Sequence, residues 1–189
     1  MNDLKPIIFL FPVVALVLVT VLYISLLKKS INNKAFNRFF FIMTAAAFLL
    51  NFSWELLQMP LYDNTSFKIN HVVFCALGSV ADAIMVLLIY LGLAVIFKNA
   101  FWIYPLKWQR ILLLILTGGI GATLSEIRHL SIGNWAYSDL MPLLPYVRVG
   151  ISPVLQFMIL PLLTYILSFK LSSLITPSVF LKECSIKNE

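Results

Sequence analysis

Charge is what this sequence has least of. Only 12% of its 189 residues are Asp, Glu, Lys or Arg, about half the share a soluble domain carries, so a water-soluble globular fold is excluded. Cysteine is nearly absent. Cys75 falls inside an apolar run and Cys184 near the C-terminus, a placement that gives neither a disulfide framework nor a zinc-finger spacing. Histidine is limited to His71 and His129. There is no His-Glu-x-x-His pair and no nucleophile elbow, and the Glu-Glu-x-x-x-Arg pattern of CAAX-type intramembrane proteases is missing too. Glu126 and His129 have the Glu-x-x-His spacing of di-iron carboxylate bundles, but such a site takes two of these pairs and the chain has one. Neither a metal nor any other cofactor is therefore expected. The net charge of +6 comes from basic residues set singly or in pairs between apolar runs. That is a topology signal rather than a phosphate-binding face, and it excludes nucleic acid as a partner.

What the chain has in quantity is hydrophobic length. Hydrophobic residues make up 61% of it. Five apolar runs, about 7–27, 39–59, 71–97, 111–131 and 149–169, reach the roughly 20 residues needed to span a hydrocarbon core. The sequence thus predicts an all-α polytopic membrane helix bundle with five transmembrane helices, one domain over 1–189. The first run lacks a clear cleavage site and reads as a retained helix, not a signal peptide. Five spans put the termini on opposite sides. With the Lys28–Arg38 connection inside, the cytoplasmic side takes Lys28, Lys29, Lys34, Arg38, Lys98, Lys107, Arg110, Lys170, Lys182 and Lys187, and the other side takes Lys5, Lys68, Arg128 and Arg148. This bias predicts the N-terminus outside and the C-terminus in the cytoplasm of a cell membrane, the inner membrane if the source is bacterial. The segment FWIYPLKWQ, with Trp102, Tyr104 and Trp108 beside positive charge, is expected to be a cytoplasmic interfacial loop.

Polar residues mark one face of several runs. In the second, Thr44, Ala47, Asn51, Glu55 and Gln58 share a helical stripe with Trp54 beside it. In the third, His71, Cys75, Gly78, Ser79, Asp82 and Met85 do so, with Asp82 about 16 Å along the axis from His71. In the fourth, Gly119, Thr123, Glu126 and His129 share a face. Gly118, Gly119, Gly121 and Ala122 there form a small-residue patch suited to close helix packing. The fifth adds Ser152 and Gln156, and Pro153 and Pro161 are expected to bend it. Polar side chains facing lipid are costly, so the stripes should converge. The expectation is one cavity opening toward the non-cytoplasmic leaflet, lined by Glu55, Asp82 and Glu126, with Gln58, His71, Arg128, His129 and Gln156 at its rim.

The stretch Ser125–Gly150, SEIRHLSIGNWAYSDLMPLLPYVRVG, holds more groups able to carry chemistry than any other. It reads as a helix end, a loop rich in turn formers (Gly133-Asn134, Pro142, Pro145) and the start of the next helix. Trp135, Tyr137, Met141 and Tyr146 make the loop amphipathic, able to fold over the outer mouth of the bundle. Arg128, two residues from Glu126, points elsewhere on the helix. It is expected to reach a carboxylate on another helix, or the loop, and so to leave Glu126 free. Carboxyls, an arginine and histidines together supply a proton donor and an acceptor. The expected catalytic residues are Glu126, Glu55, Asp82 and His129. The expected substrate-binding residues are Trp54, Gln58, Arg128, Trp135, Tyr137 and Gln156, the aromatics stacking on an apolar substrate or bordering a cationic intermediate.

Three functions fit this pattern. The first is an acid–base enzyme acting on a lipid or isoprenoid-like substrate, with membrane lipid or an apolar small molecule as partner. The second is a binding or assembly protein whose polar stripes lock helices together. The third is a proton-coupled carrier, against which the lack of an internal repeat argues. The combination WELLQMPLY, GSVADA, GNWAYSDLMPLLP and VGISPVLQF, spanning Asn51 to Gln156, resembles an uncharacterised family of small bacterial polytopic membrane proteins. That resemblance implies no activity. Five spans with acidic residues and tryptophan are also similar to the emopamil-binding sterol isomerases, in architecture alone.

Overall fold

The structure, a computed structural model, describes residues 10–30, 32–63 and 65–175. Lys5, Lys182, Cys184, Lys187 and the expected beginning of the first span at 7–9 lie outside the described residues. Among the described residues the chain forms five α-helices: α1 Leu10–Lys29, α2 Asn33–Gln58, α3 Ile69–Ile96, α4 Trp108–Ser131 and α5 Ile151–Ile175. All five are long and apolar enough to cross a membrane, and among the described residues strand geometry is confined to two isolated bridges. The protein is an all-α polytopic membrane bundle.

Local sequence explains where the helices begin and end. α2 starts at Asn33, ahead of its apolar run, because the Asn32 side chain caps it by accepting from the Ala35 N–H at 3.0 Å. It stops at Pro60, where the chain tightens into a 3-10 turn over Met59–Leu61. In α5, Pro153 sits in the first turn, where a missing N–H leaves no hydrogen bond unmade. The expected bend at Pro153 is therefore corrected, and Pro161 alone lies inside the helix.

α2 sits at the centre, packed on α3 at one side and on α5 at the other, while α1 leans on α3 and α4 on α5. α1 buries Ala15, Val19 and Leu26 and leaves Phe11, Val13, Val17 and Val21 exposed, as a lipid-facing helix does. α4 and α5 meet backbone to backbone. A Cβ on Gly118 would stand 2.0 Å from the Phe157 carbonyl oxygen, so glycine is what permits the approach.

The two ends of the bundle are closed by different chemistry. Between α3 and α4 the chain turns back into the bundle, burying Ala100, Phe101, Trp102 and Ile103. This corrects the interfacial reading of that segment. Tyr104 and Trp108 are exposed as expected, but Trp102 is wholly buried. The reason is that its polar tip has an acceptor inside: the indole N–H donates to Tyr90 O at 3.2 Å. The Tyr90 hydroxyl donates in turn to Ala100 O, and the Tyr165 hydroxyl to Val86 O, each at 2.7 Å. The three rings pack with centroids 4.9–5.9 Å apart. Arg110 fastens the turn by donating to Trp102 O and lying over the Phe97 ring.

At the other end the segment 132–150 straps across the end of α2. Tyr62 and Tyr137 form an antiparallel bridge, with Asp63 N–H donating to Ala136 O and Ser138 N–H to Leu61 O, both at 3.0 Å. These bonds flank the two tyrosines instead of joining them. In that kind of antiparallel pair the opposing side chains come closest. The Ser138 hydroxyl adds a bond to Pro60 O at 3.1 Å.

Candidate functional site

The strap carries two donors to a carboxyl on α4. Glu126 is buried, and its Oε2 accepts from the Trp135 indole N–H at 3.2 Å and from the Tyr137 hydroxyl. Its Oε1 takes no hydrogen bond among the described residues. Trp135 and Tyr137 are two apart in an extended segment, so they project to one side. The Trp135 ring is backed by His129, stacked at 4.3 Å, and His129 Nδ1 lies 2.6 Å from Asn134 Nδ2. Gly150 makes room for Tyr137: a Cβ there would stand 3.1 Å from the Tyr137 ring and 2.8 Å from the Met141 sulfur. Burial pushes the Tyr137 phenol up, and its bond to Glu126 pushes the same way, so it stays protonated and donates.

A second carboxyl centre joins α2, α3 and α5 around Gln156, which is 1% exposed. The Gln156 amide nitrogen lies 2.9 Å from Asn51 Oδ1, 3.0 Å from Asp82 Oδ2 and 3.5 Å from Glu55 Oε1. Its oxygen accepts from Gln58 Nε2 at 3.1 Å, and Gln58 also donates to Glu55 Oε1 at 2.8 Å. The Ser152 hydroxyl donates to Gln58 Oε1 at 2.9 Å, and Asn51 Nδ2 turns to Ala47 O at 2.7 Å. The Glu55 and Asp82 carboxyls are within hydrogen-bond reach of each other, a geometry in which two carboxyls can hold one proton between them. Glu126 is close enough to act electrostatically on both.

Tyr62 stands between the two centres. Its ring centroid is 5.5 Å from that of Tyr137 and 6.4 Å from that of Trp135. Burial, followed by the nearby Glu126, Glu55 and Asp82 carboxyls and Tyr137, pushes its phenol well above the usual tyrosine range. Its hydroxyl has no hydrogen-bond partner among the described residues. From the sequence, Tyr62, like Trp54, also fits an ordinary interfacial aromatic at the end of the second run. Its partner Tyr137 lies far along the chain, and the bridge that pairs them leaves no local signal.

The structure thus brings Glu55, Asp82, Gln58 and Gln156 into one network, and Glu126, Trp135 and Tyr137 into another beside it. His129 supports Trp135 and has no carboxyl partner among the described residues. Trp54 lies on α2 with a buried indole N–H that lacks a partner among the described residues. Two residues fall outside the expected pattern. The Arg128 guanidinium lies over the Phe11 ring of α1 at 4.3 Å, not on a carboxylate. Residues two apart diverge around a helix, and at this position the α1 ring is what Arg128 meets. His71 accepts from the Ser66 N–H at 2.8 Å and so closes its own loop. Cys75 is a free, buried thiol. No family model, curated protein or solved structure matches this chain.

Proposed function

We propose that this protein is a membrane-embedded acid–base enzyme acting on a lipid or isoprenoid-like substrate, with Glu126 as its proton-transfer group. The observation that carries the reading is the half-clamped carboxyl: two strap donors on Oε2 and, among the described residues, none on Oε1. A general acid or base must be held in place and still present an oxygen to the reacting group. Glu55 and Asp82 supply a second proton site, and Trp54, Trp135 and Tyr137 supply apolar walls. Glu55, Asp82, Trp54 and Tyr62 keep part of their surface accessible amid buried Asn51, Gln58 and Gln156. This supports a polar crevice at the strapped end. The lysine and arginine bias puts that end on the non-cytoplasmic side of a cell membrane, with the N-terminus outside and the C-terminus in the cytoplasm.

The saturated bonding around Gln156 favours a second reading, a non-enzymatic assembly protein held together by interhelical hydrogen bonds. A carrier fits less well, because Phe101, Trp102 and Tyr165 fill the opposite end. Comparative lipid mass spectrometry of membranes from cells making wild type or Glu126→Gln separates these. The enzyme reading expects a lipid species that depends on the wild-type protein and falls on the order of a hundredfold in the variant, at normal insertion levels. An identical lipid profile for the two removes Glu126 from the mechanism. Loss of insertion in Glu126→Gln favours the assembly reading.

A further inference from the structure

We propose that the substrate is a neutral apolar molecule bearing one hydrogen-bond-accepting oxygen, and that the Tyr62 hydroxyl donates to that oxygen. The inference rests on reading the site as an enzyme centre and specifies what the centre takes.

The donors around the carboxyls are almost all engaged. Trp135 Nε1 and the Tyr137 hydroxyl are on Glu126. Gln58 Nε2 is on Glu55 and Gln156, and Gln156 Nε2 is on Asn51 and Asp82. The Ser152 hydroxyl is on Gln58, and Asn51 Nδ2 is on Ala47 O. The Trp54 N–H is unpartnered but sealed from the surroundings. Tyr62 is the donor that is unpartnered among the described residues, keeps accessible surface and has all three carboxyls as electrostatic neighbours. A phenol in such company stays protonated and can serve as a donor. Its complement is an acceptor oxygen, such as a hydroxyl or carbonyl.

Charge narrows the class further. Three carboxyls face this space, and the described cations at this end are engaged elsewhere or exposed: Arg128 lies on Phe11, and Lys68 and Arg148 are exposed. A phosphate or carboxylate headgroup would meet the carboxyls with none of these cations beside them, a repulsion that rejects wrong partners. The hydrocarbon part has a place to lie. A groove of about 300 Å³ runs between α4 and α5, lined by Gly119, Ile120, Thr123, Val154 and Met158. Thr123, at the wall of this groove, is one helical turn from Glu126 on the same face of α4.

The test uses the full chain in lipid nanodiscs and three probes with one common tail: phytol, its hydrocarbon phytane and phytyl diphosphate. Equilibrium binding should show phytol bound about tenfold more tightly than phytane, the order that one hydrogen bond to a neutral group contributes. Phytyl diphosphate should bind more weakly than phytol. Tyr62→Phe keeps the ring against Tyr137 and should erase the preference for phytol over phytane while leaving phytane binding unchanged, a pattern that general loosening of the fold would not produce. An unchanged preference in Tyr62→Phe, tighter binding of the diphosphate, or no binding of phytol by wild type would each overturn the inference. The Glu126→Gln lipid profile decides the enzyme reading separately. If that variant loses the wild-type lipid product while Tyr62→Phe keeps its preference for phytol, Tyr62 alone is misassigned.

Discussion

Gln156→Leu is the substitution that tests the three-helix polar network most directly. Leucine keeps a side chain of comparable bulk, one atom shorter, but removes the amide. Not every broken bond leaves an orphan. Gln58 Nε2 and Glu55 Oε1 still have each other at 2.8 Å, so that pair survives. Asp82 Oδ2 loses its amide donor, but Asp82 keeps accessible surface and the Glu55 carboxyl beside it. Asn51 Oδ1 is different. It accepts from Gln156 at 2.9 Å, and Asn51 is 1% exposed, so neither water nor another side chain replaces the donor. One orphaned buried acceptor costs about 1–3 kcal/mol, and the other interhelical bonds add about 0.6 kcal/mol each on the scale seen in membrane proteins. The expected destabilisation is about 2–4 kcal/mol, with the apolar half of the bundle still assembled. Reversible unfolding in mixed micelles, followed by far-UV circular dichroism and tryptophan fluorescence, measures it. A loss below about 0.5 kcal/mol, within the scatter of ordinary surface substitutions, would refute the claim that Gln156 ties α2, α3 and α5 together.

Two further outcomes follow from geometry and topology. Gly118→Val should separate α4 from α5, because a Cβ at that position lands 2.0 Å from the Phe157 carbonyl oxygen, a backbone atom that cannot rotate away; the expected cost is at least the roughly 1–3 kcal/mol of ordinary overpacking, and wild-type stability in the same micelle assay would count against the close helix contact. In a background with both native cysteines replaced, a cysteine at Ser66 should react with an impermeant maleimide on intact cells and one at Asn33 should react only after lysis, since the basic bias places the α1–α2 turn inside; outside labelling of the Asn33 position would invert the proposed orientation.

Hydropathy made the five helices legible, because length and apolar content are local properties of the chain. Caps were partly legible. The Asn-Asn pair at 32–33 marks a turn in the sequence, and in the structure the Asn32 side chain also starts α2 earlier than the apolar run does. The polar stripes were legible too: helical periodicity put Asn51, Glu55 and Gln58 on one face, and they meet Asp82 and Gln156 across the helix interfaces. Three features were not. Trp102 beside lysine and arginine looks like an interfacial anchor, and only the tertiary acceptor at Tyr90 O lets the ring turn inward. Arg128 has no sequence mark that would single out the Phe11 ring over a carboxylate. Tyr62 acquires its place from a two-residue bridge to a segment far along the chain, a register that no period in either segment encodes.

The route by which α2 and α4 are coupled bears on how the site works. α4 leans on α5, and α2 packs on α3 and α5, so Glu126 is not placed against the Glu55–Asp82 pair by direct packing of its own helix on α2. The strap makes that connection. Its backbone bonds at Leu61 and Asp63 fix it to the end of α2, and Trp135 and Tyr137 reach from it to Glu126 on α4. Tyr62 belongs to the same bridge, so its ring and the two donors on Glu126 share one backbone support. At the other end of the bundle Tyr90, Trp102 and Tyr165 satisfy their polar tips on backbone carbonyls and interlock as rings, an arrangement with no free donor. The strap is thus the element that joins Glu126 on α4 to the end of α2, while the opposite end of the bundle is held by its own cluster of rings.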